Sequence, residues 1–204
     1  MPYFTYGETE INHLKRKCKT LGAAIDRIGM VERPVWPDPF EALVYCIVSQ
    51  QISSKAVKTV WNRFVSLLGS ITPESILRTD PEAMQKCGMT MKKVTYIRGI
   101  AESAQSGIVN FETLALQTDE EIIKTLSSLT GVGVWTAEMI LILSLCRPNV
   151  ISYGDLAIRR GIMNLYGLKT LSKQQFEKYK KRYSPYNSVA SLYLWVLSLD
   201  GALK

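Results

Sequence analysis

From Phe40 to Leu197 the apolar residues of this chain return every third or fourth position, segment after segment, and that period commits most of the chain to helix. Phe40, Leu43, Val44, Ile47 and Val48 give one apolar face to a helix entered through Pro37-Asp38-Pro39. The next helix starts at the Ser53-Ser54 cap and stops at Gly69. Short helices follow at 73–77 and 81–86, each with proline early, where it removes no intrahelical bond. A longer one covers 91–106 and ends at Gly107. Further helices are expected over 119–127, 135–146, 155–166 (stopped by Gly167), 172–183 and 187–199, the last burying Val189, Leu192, Tyr193, Val196 and Leu197. The one candidate strand is the short connector 149–153. The expected fold is all-α, in two packed lobes: the first over approximately 38–146, the second combining 1–37 with 147–204.

Composition narrows the function classes. Hydrophobic residues make up 47% of 204, enough for a substantial core. The net charge of +7 and a pI near 9.2 favour a polyanionic partner. Basic clusters at Lys15–Lys19, Lys92-Lys93, Arg159-Arg160 and Lys178–Arg182 are distributed along the chain; any one of them reads as a solvated helix face, and together they are compatible with contact to a phosphate backbone. Cys18, Cys46, Cys87 and Cys146 are far apart and His13 is the single histidine, which argues against a zinc site, a disulfide framework or an iron–sulfur cluster. His13 reads as a surface residue of the first helix. With no signal peptide and no apolar run long enough for a bilayer, a soluble intracellular protein is expected, with no membrane partner.

Two positions carry chemistry. In Leu129-Thr130-Gly131-Val132-Gly133-Val134-Trp135-Thr136-Ala137, paired glycines join two helices, so backbone N–H groups can approach a phosphate oxygen without a Cβ in the way. The second helix adds its positive N-terminal end. An ordinary tight turn is the alternative. Downstream, Gly154-Asp155 sets a carboxylate at a helix start. The connector 147–154 can extend roughly 3.3 Å per residue and the preceding helix is roughly 18 Å long, so the chain can double back along it. Asp155 can simply cap its helix. As an ionised carboxylate it can also stabilise an oxocarbenium-like transition state or orient an attacking water, though it cannot protonate a leaving group.

With these residues the chain resembles the helix–hairpin–helix DNA glycosylase superfamily. Three further stretches match its branch of alkylation-repair enzymes similar to 3-methyladenine DNA glycosylase II: Ile47-Val48-Ser49-Gln50-Gln51-Ile52-Ser53, Gly88-Met89-Thr90 through Lys93-Val94-Thr95-Tyr96, and Ser184-Pro185-Tyr186 through Tyr193-Leu194-Trp195. The resemblance implies two helical lobes flanking a cleft, and flipping of a damaged nucleotide followed by hydrolysis of its N-glycosidic bond. It implies Asp155 as the catalytic carboxylate and Gly131 and Gly133 as phosphate contacts, where some relatives hold a monovalent cation; no other cofactor is implied. It implies Gln51 as the residue filling the hole left by the flipped nucleotide, and Trp135 and Tyr186 as lining for the base. Gln50 and Gln51 could instead make helix-end contacts, Trp135 could be core and Tyr186 rim. Tyr45, Met139 and Trp195 read better as core. Ser152 and Met139 depart from the family pattern, at positions where relatives often have proline and an aromatic.

The expected activity is therefore monofunctional excision of alkylated purines, such as 3-methyladenine and 7-methylguanine, from double-stranded DNA in base excision repair. No lysine lies in Val134-Trp135-Thr136-Ala137-Glu138 to act as an amine nucleophile, so no strand-cutting lyase step is expected. The alternatives are the same fold excising an oxidised or deaminated base, a non-enzymatic DNA-binding module, and a helical scaffold. A monomer is expected, with DNA contact made by the helical lobes alone, in the cytoplasm (nucleoid-associated), or in the nucleus of a eukaryote.

Overall fold

The computed structural model describes residues 2–199. Twelve α-helices occur among them: α1 (Glu8–Lys17), α2 (Lys19–Ile28), α3 (Pro39–Ser49), α4 (Ser54–Leu68), α5 (Pro73–Arg78), α6 (Pro81–Lys86), α7 (Met91–Gln105), α8 (Asp119–Ser127), α9 (Val134–Leu143), α10 (Leu156–Tyr166), α11 (Lys173–Tyr183) and α12 (Asn187–Leu197). A 3₁₀ turn covers Leu114–Leu116. The boundaries follow from local chemistry. Asp38, Ser53, Thr72, Asp80, Thr90, Thr118, Asp155 and Ser172 each accept a backbone N–H at a helix start, and Gly69 and Gly167 close helices in the positive-φ region.

No strand occurs among the described residues; the one bridge joins Tyr3 to Pro34. The connector 149–153 is thus corrected from candidate strand to an extended segment bonded to helix side chains. Its Val150 backbone bonds the hydroxyls of Ser188 and Ser191 on α12 instead of a neighbouring strand. Hydroxyls supply the partners that a ladder would have supplied.

The chain divides into two compact units, Met1–Val35 with Leu141–Lys204, and Trp36–Ile140. The upper division falls inside α9, earlier than the expected end near 146. In the 36–140 unit α7 packs against α3, α5 and α6, with Phe40, Leu43, Ile47, Phe64, Ile76, Met84, Val94 and Ile97 buried. Two cations of α7 also close neighbouring helices. Lys93 donates to the carbonyls of Val48 (2.7 Å) and Gln50 (2.6 Å), and Arg98 to those of Ile76, Leu77 and Thr79. A cation at a helix C-terminus is stabilised both by these bonds and by the dipole.

In the other unit α10 lies on α12, and Gly161 permits the close crossing. A Cβ there would stand 2.1 Å from the Leu194 carbonyl oxygen. Leu14, Leu21, Ile158, Ile162, Phe176, Tyr183 and Tyr193 fill the core of this unit.

Candidate active site

The hairpin between α8 and α9 is held from below by apolar residues. Leu129 and Val132 are buried, and the Val132 N–H donates to the Leu129 carbonyl at 3.1 Å. Gly131 has φ +90°, where an L side chain is strained, and a Cβ would lie 2.3 Å from a ring carbon of Tyr96. Gly133 has no steric reason within the protein to lack a side chain: a Cβ there would meet nothing within 4 Å. Gly133, Val134 and Trp135 are exposed at the first turn of α9, whose leading N–H groups have no intrahelical acceptor. An anion can reach them there. Trp135 is 40% exposed, so the core alternative for it is set aside. Thr136, Ala137 and Met139 are the buried residues beside it.

The same unit presents Gln51. Its φ is +58°, a left-handed backbone on a non-glycine residue, which costs about 1–3 kcal/mol and persists only where surroundings enforce it. The enforcing groups are visible. Lys93 bridges the Val48 and Gln50 carbonyls just before the turn, and the Gln50 side-chain Nε2 donates to the Gly131 carbonyl at 3.1 Å. Gln51 itself is exposed. The structure therefore brings the Gln51 turn and the glycine hairpin together. Gln50 thus bonds a distant hairpin carbonyl rather than its own helix end.

Pattern reading placed Lys93 in a basic cluster suited to phosphate and missed its role as a clasp on two backbone carbonyls. Burial lowers its ammonium pKa from the usual lysine value. The available signal was its place one helical turn before Tyr96, in a stretch where a basic residue has no acidic neighbour to serve.

Asp155 belongs to the other unit. It is the N-cap of α10, accepting the Ile158 N–H on Oδ1 at 2.9 Å, and it is only 7% exposed. The capping role is thus real, and it fixes the carboxylate's direction. The connector that delivers Asp155 is pinned along its length. The Ser188 N–H donates to the Pro148 carbonyl (3.0 Å), the Ser188 hydroxyl to the Arg147 carbonyl (2.5 Å), and the Val150 N–H to the Ser188 hydroxyl (3.0 Å). The Asn187 amide donates to Asn149 Oδ1 at 2.6 Å. Ser152, which departs from the family pattern, is fully buried.

Tyr186 immediately precedes α12 in this same unit. Its ring meets His13 edge-on at 5.1 Å, and a ring nitrogen of His13 is bonded to the Ser184 carbonyl at 3.0 Å. His13 is thereby corrected from a surface residue to a half-buried support for the Tyr186 segment. Its distance in sequence, 171 residues from Ser184, hid this role. Trp195 lies beneath the Arg33 guanidinium at 4.8 Å, and Tyr45, in the 36–140 unit, packs against Trp36 and Trp61.

Residues 44–185 match the model of the HhH-GPD superfamily of base excision DNA repair proteins. The chain belongs to that family. This HhH-GPD protein is 37% identical over 166 residues to DNA-3-methyladenine glycosylase 1 of Schizosaccharomyces pombe, covering 79% of this chain and 73% of that one. The crystal structure of a DNA-3-methyladenine glycosidase from Bacillus halodurans superposes with TM-score 0.85 at 35% identity, over 97% of this chain and 93% of the other. A Schizosaccharomyces pombe 3-methyladenine DNA glycosylase in complex with abasic DNA gives TM-score 0.84 at 32% identity, over 93% and 96%.

Proposed function

We propose that this HhH-GPD protein is a monofunctional DNA glycosylase that flips alkylated purines of the 3-methyladenine and 7-methylguanine type out of duplex DNA and hydrolyses their N-glycosidic bonds. The observation that carries the reading is Asp155, a buried carboxylate fixed at the start of α10 by its own cap and by a pinned connector. Membership of the family and the names of its relatives support it.

An N7- or N3-alkylated purine is cationic, so when the bond to C1′ breaks the base leaves neutral with the bonding electron pair and needs no strong acid. Positive charge develops on the sugar. Asp155 stabilises that charge, and a water adds to C1′ and gives up a proton, leaving a free base and an abasic deoxyribose. Trp135 and Tyr186 offer aromatic faces to the cationic base, an attraction of about 0.5–2 kcal/mol each. The Gly131–Gly133 hairpin holds backbone phosphate and Gln51 fills the space the flipped nucleotide vacates.

No group of three or more His, Cys, Asp or Glu gathers into a metal site among the described residues. A monovalent cation at the hairpin would have to use backbone carbonyls. Those of Leu129 and Gly131 already accept one bond each, from the Val132 N–H and Gln50 Nε2, and a second lone pair remains on each. Such an ion would add positive charge beside a bound phosphate.

The test is incubation with methylated genomic DNA and chromatography of the released bases. Free 3-methyladenine and 7-methylguanine with an uncut strand are expected. Release of oxidised or deaminated bases alone would move the substrate class, and a covalent adduct trapped by borohydride would overturn the water-nucleophile mechanism.

A further inference from the structure

Three groups on the 36–140 unit form one continuous device. Lys93 and Tyr96 sit one turn apart on α7. Lys93 Nζ binds the carbonyls of Val48, in the last turn of α3, and of Gln50, the residue directly before the left-handed Gln51. Tyr96 packs its ring where a Gly131 Cβ would be. Gln50 closes the circuit, since its backbone carbonyl is held by Lys93 and its side-chain amide donates to the Gly131 carbonyl. A single helix face thereby grips both the Gln51 turn and the glycine hairpin.

A cation that only needed to close α3 could have done so through the carbonyls inside the helix. Lys93 takes one carbonyl inside the helix, that of Val48, and also the Gln50 carbonyl, beyond the last helical residue Ser49, and so fixes the peptide leading directly into Gln51. The two bonds at 2.6 and 2.7 Å are charge-assisted and short. They hold a backbone conformation that glutamine does not adopt by preference.

We propose that Lys93 and Gln50 are positioning residues for base extrusion: they hold Gln51 in its left-handed pose and lock it at a fixed spacing from the phosphate-gripping hairpin, so that insertion into the stack and capture of the strand occur as one event. This inference rests on the glycosylase reading above. Neither residue touches the reacting sugar; each acts through Gln51.

The measurement is single-turnover release of 7-methylguanine from two duplexes, one with the lesion paired to cytosine and one with it facing a tetrahydrofuran gap, where extrusion is already cheap. On the paired duplex K93M and Q51A should each slow release about tenfold, and K93M/Q51A should again be about tenfold slower rather than a hundredfold, because the first change disables what the second removes. Both losses should shrink to about threefold or less against the gap. K93R, which can still donate to two carbonyls, should recover most of the rate. Q50L should lose rate on the paired duplex alone, which covers the case of a poorly folded K93M. Losses that multiply in the double variant, or that are equal on both duplexes, would reduce Lys93 to ordinary structural support and overturn the proposal. Failure of the wild-type protein to release base from either duplex would instead remove the glycosylase reading, and this proposal with it.

Discussion

The two hairpin glycines separate structural need from functional need at single positions. Gly131→Ala should lose about 2 kcal/mol or more of stability, because it puts a methyl into the Tyr96 ring and forces φ +90° on an L residue. Gly133→Ala meets no atom within 4 Å, so its unfolding free energy in urea should stay within about 0.5 kcal/mol of wild type while duplex affinity falls, the added Cβ standing where a phosphate must approach. Equal stability for the two variants would contradict this division. The pattern G-x-G identified the pair in advance but could not tell them apart, because the ring that excludes a side chain from position 131 comes from position 96. Trp135 was ambiguous for a similar reason: in an apolar helix such as α9, sequence does not say which face is left open. Asp155 was legible both as a cap and as a carboxylate to stabilise a developing sugar cation or orient water, and one carboxylate can serve as both.

Helices were readable wherever their ends carry their own chemistry. Asp38 before Pro39, Ser53, Thr90, Gly69 and Gly167 mark boundaries through bonds made within a few residues. What pattern reading could not supply depends on partners far away along the chain. The segment 149–153 has the β-branched look of a strand, yet its polar partners sit 38 to 41 residues downstream on α12. The Lys93 clasp spans 43 and 45 residues and the His13 contact 171. Packing of α10 on α12 is equally nonlocal and hinges on Gly161. Gly161→Ala would drive a methyl to 2.1 Å from a backbone oxygen, which has no rotamer to retreat into. A loss of about 1–3 kcal/mol in chemical denaturation is expected, with reduced excision because α10 carries Asp155. An unchanged denaturation midpoint would show that the two helices separate at little cost.

At the scale of the whole molecule, buried and half-buried acids that hold their protons should weaken the fold at alkaline pH. Burial pushes the Cys46 thiol up from 9.0 to about 12. It likewise raises the phenols of Tyr183 and Tyr166, hydrogen-bonded to each other at 2.8 Å, well above 10.0. Groups that hold their protons more tightly when folded contribute stability that is intact below the unfolded value and is lost as pH climbs toward the folded one. The urea midpoint should therefore fall once pH passes about 9, and fall further beyond 10. Lys93, with its pKa lowered by burial, works in the opposite sense but is one partly exposed group. A midpoint that rises over this range would contradict the burial of these side chains. The central claim concerns Asp155, and the substitution that isolates it is Asp155→Asn, because asparagine caps a helix as well as aspartate does and leaves the fold in place. Single-turnover release of 7-methylguanine should drop by about 10²–10³-fold while affinity for an abasic duplex and the urea midpoint stay at wild-type values. Retention of wild-type excision by Asp155→Asn would contradict the account outright.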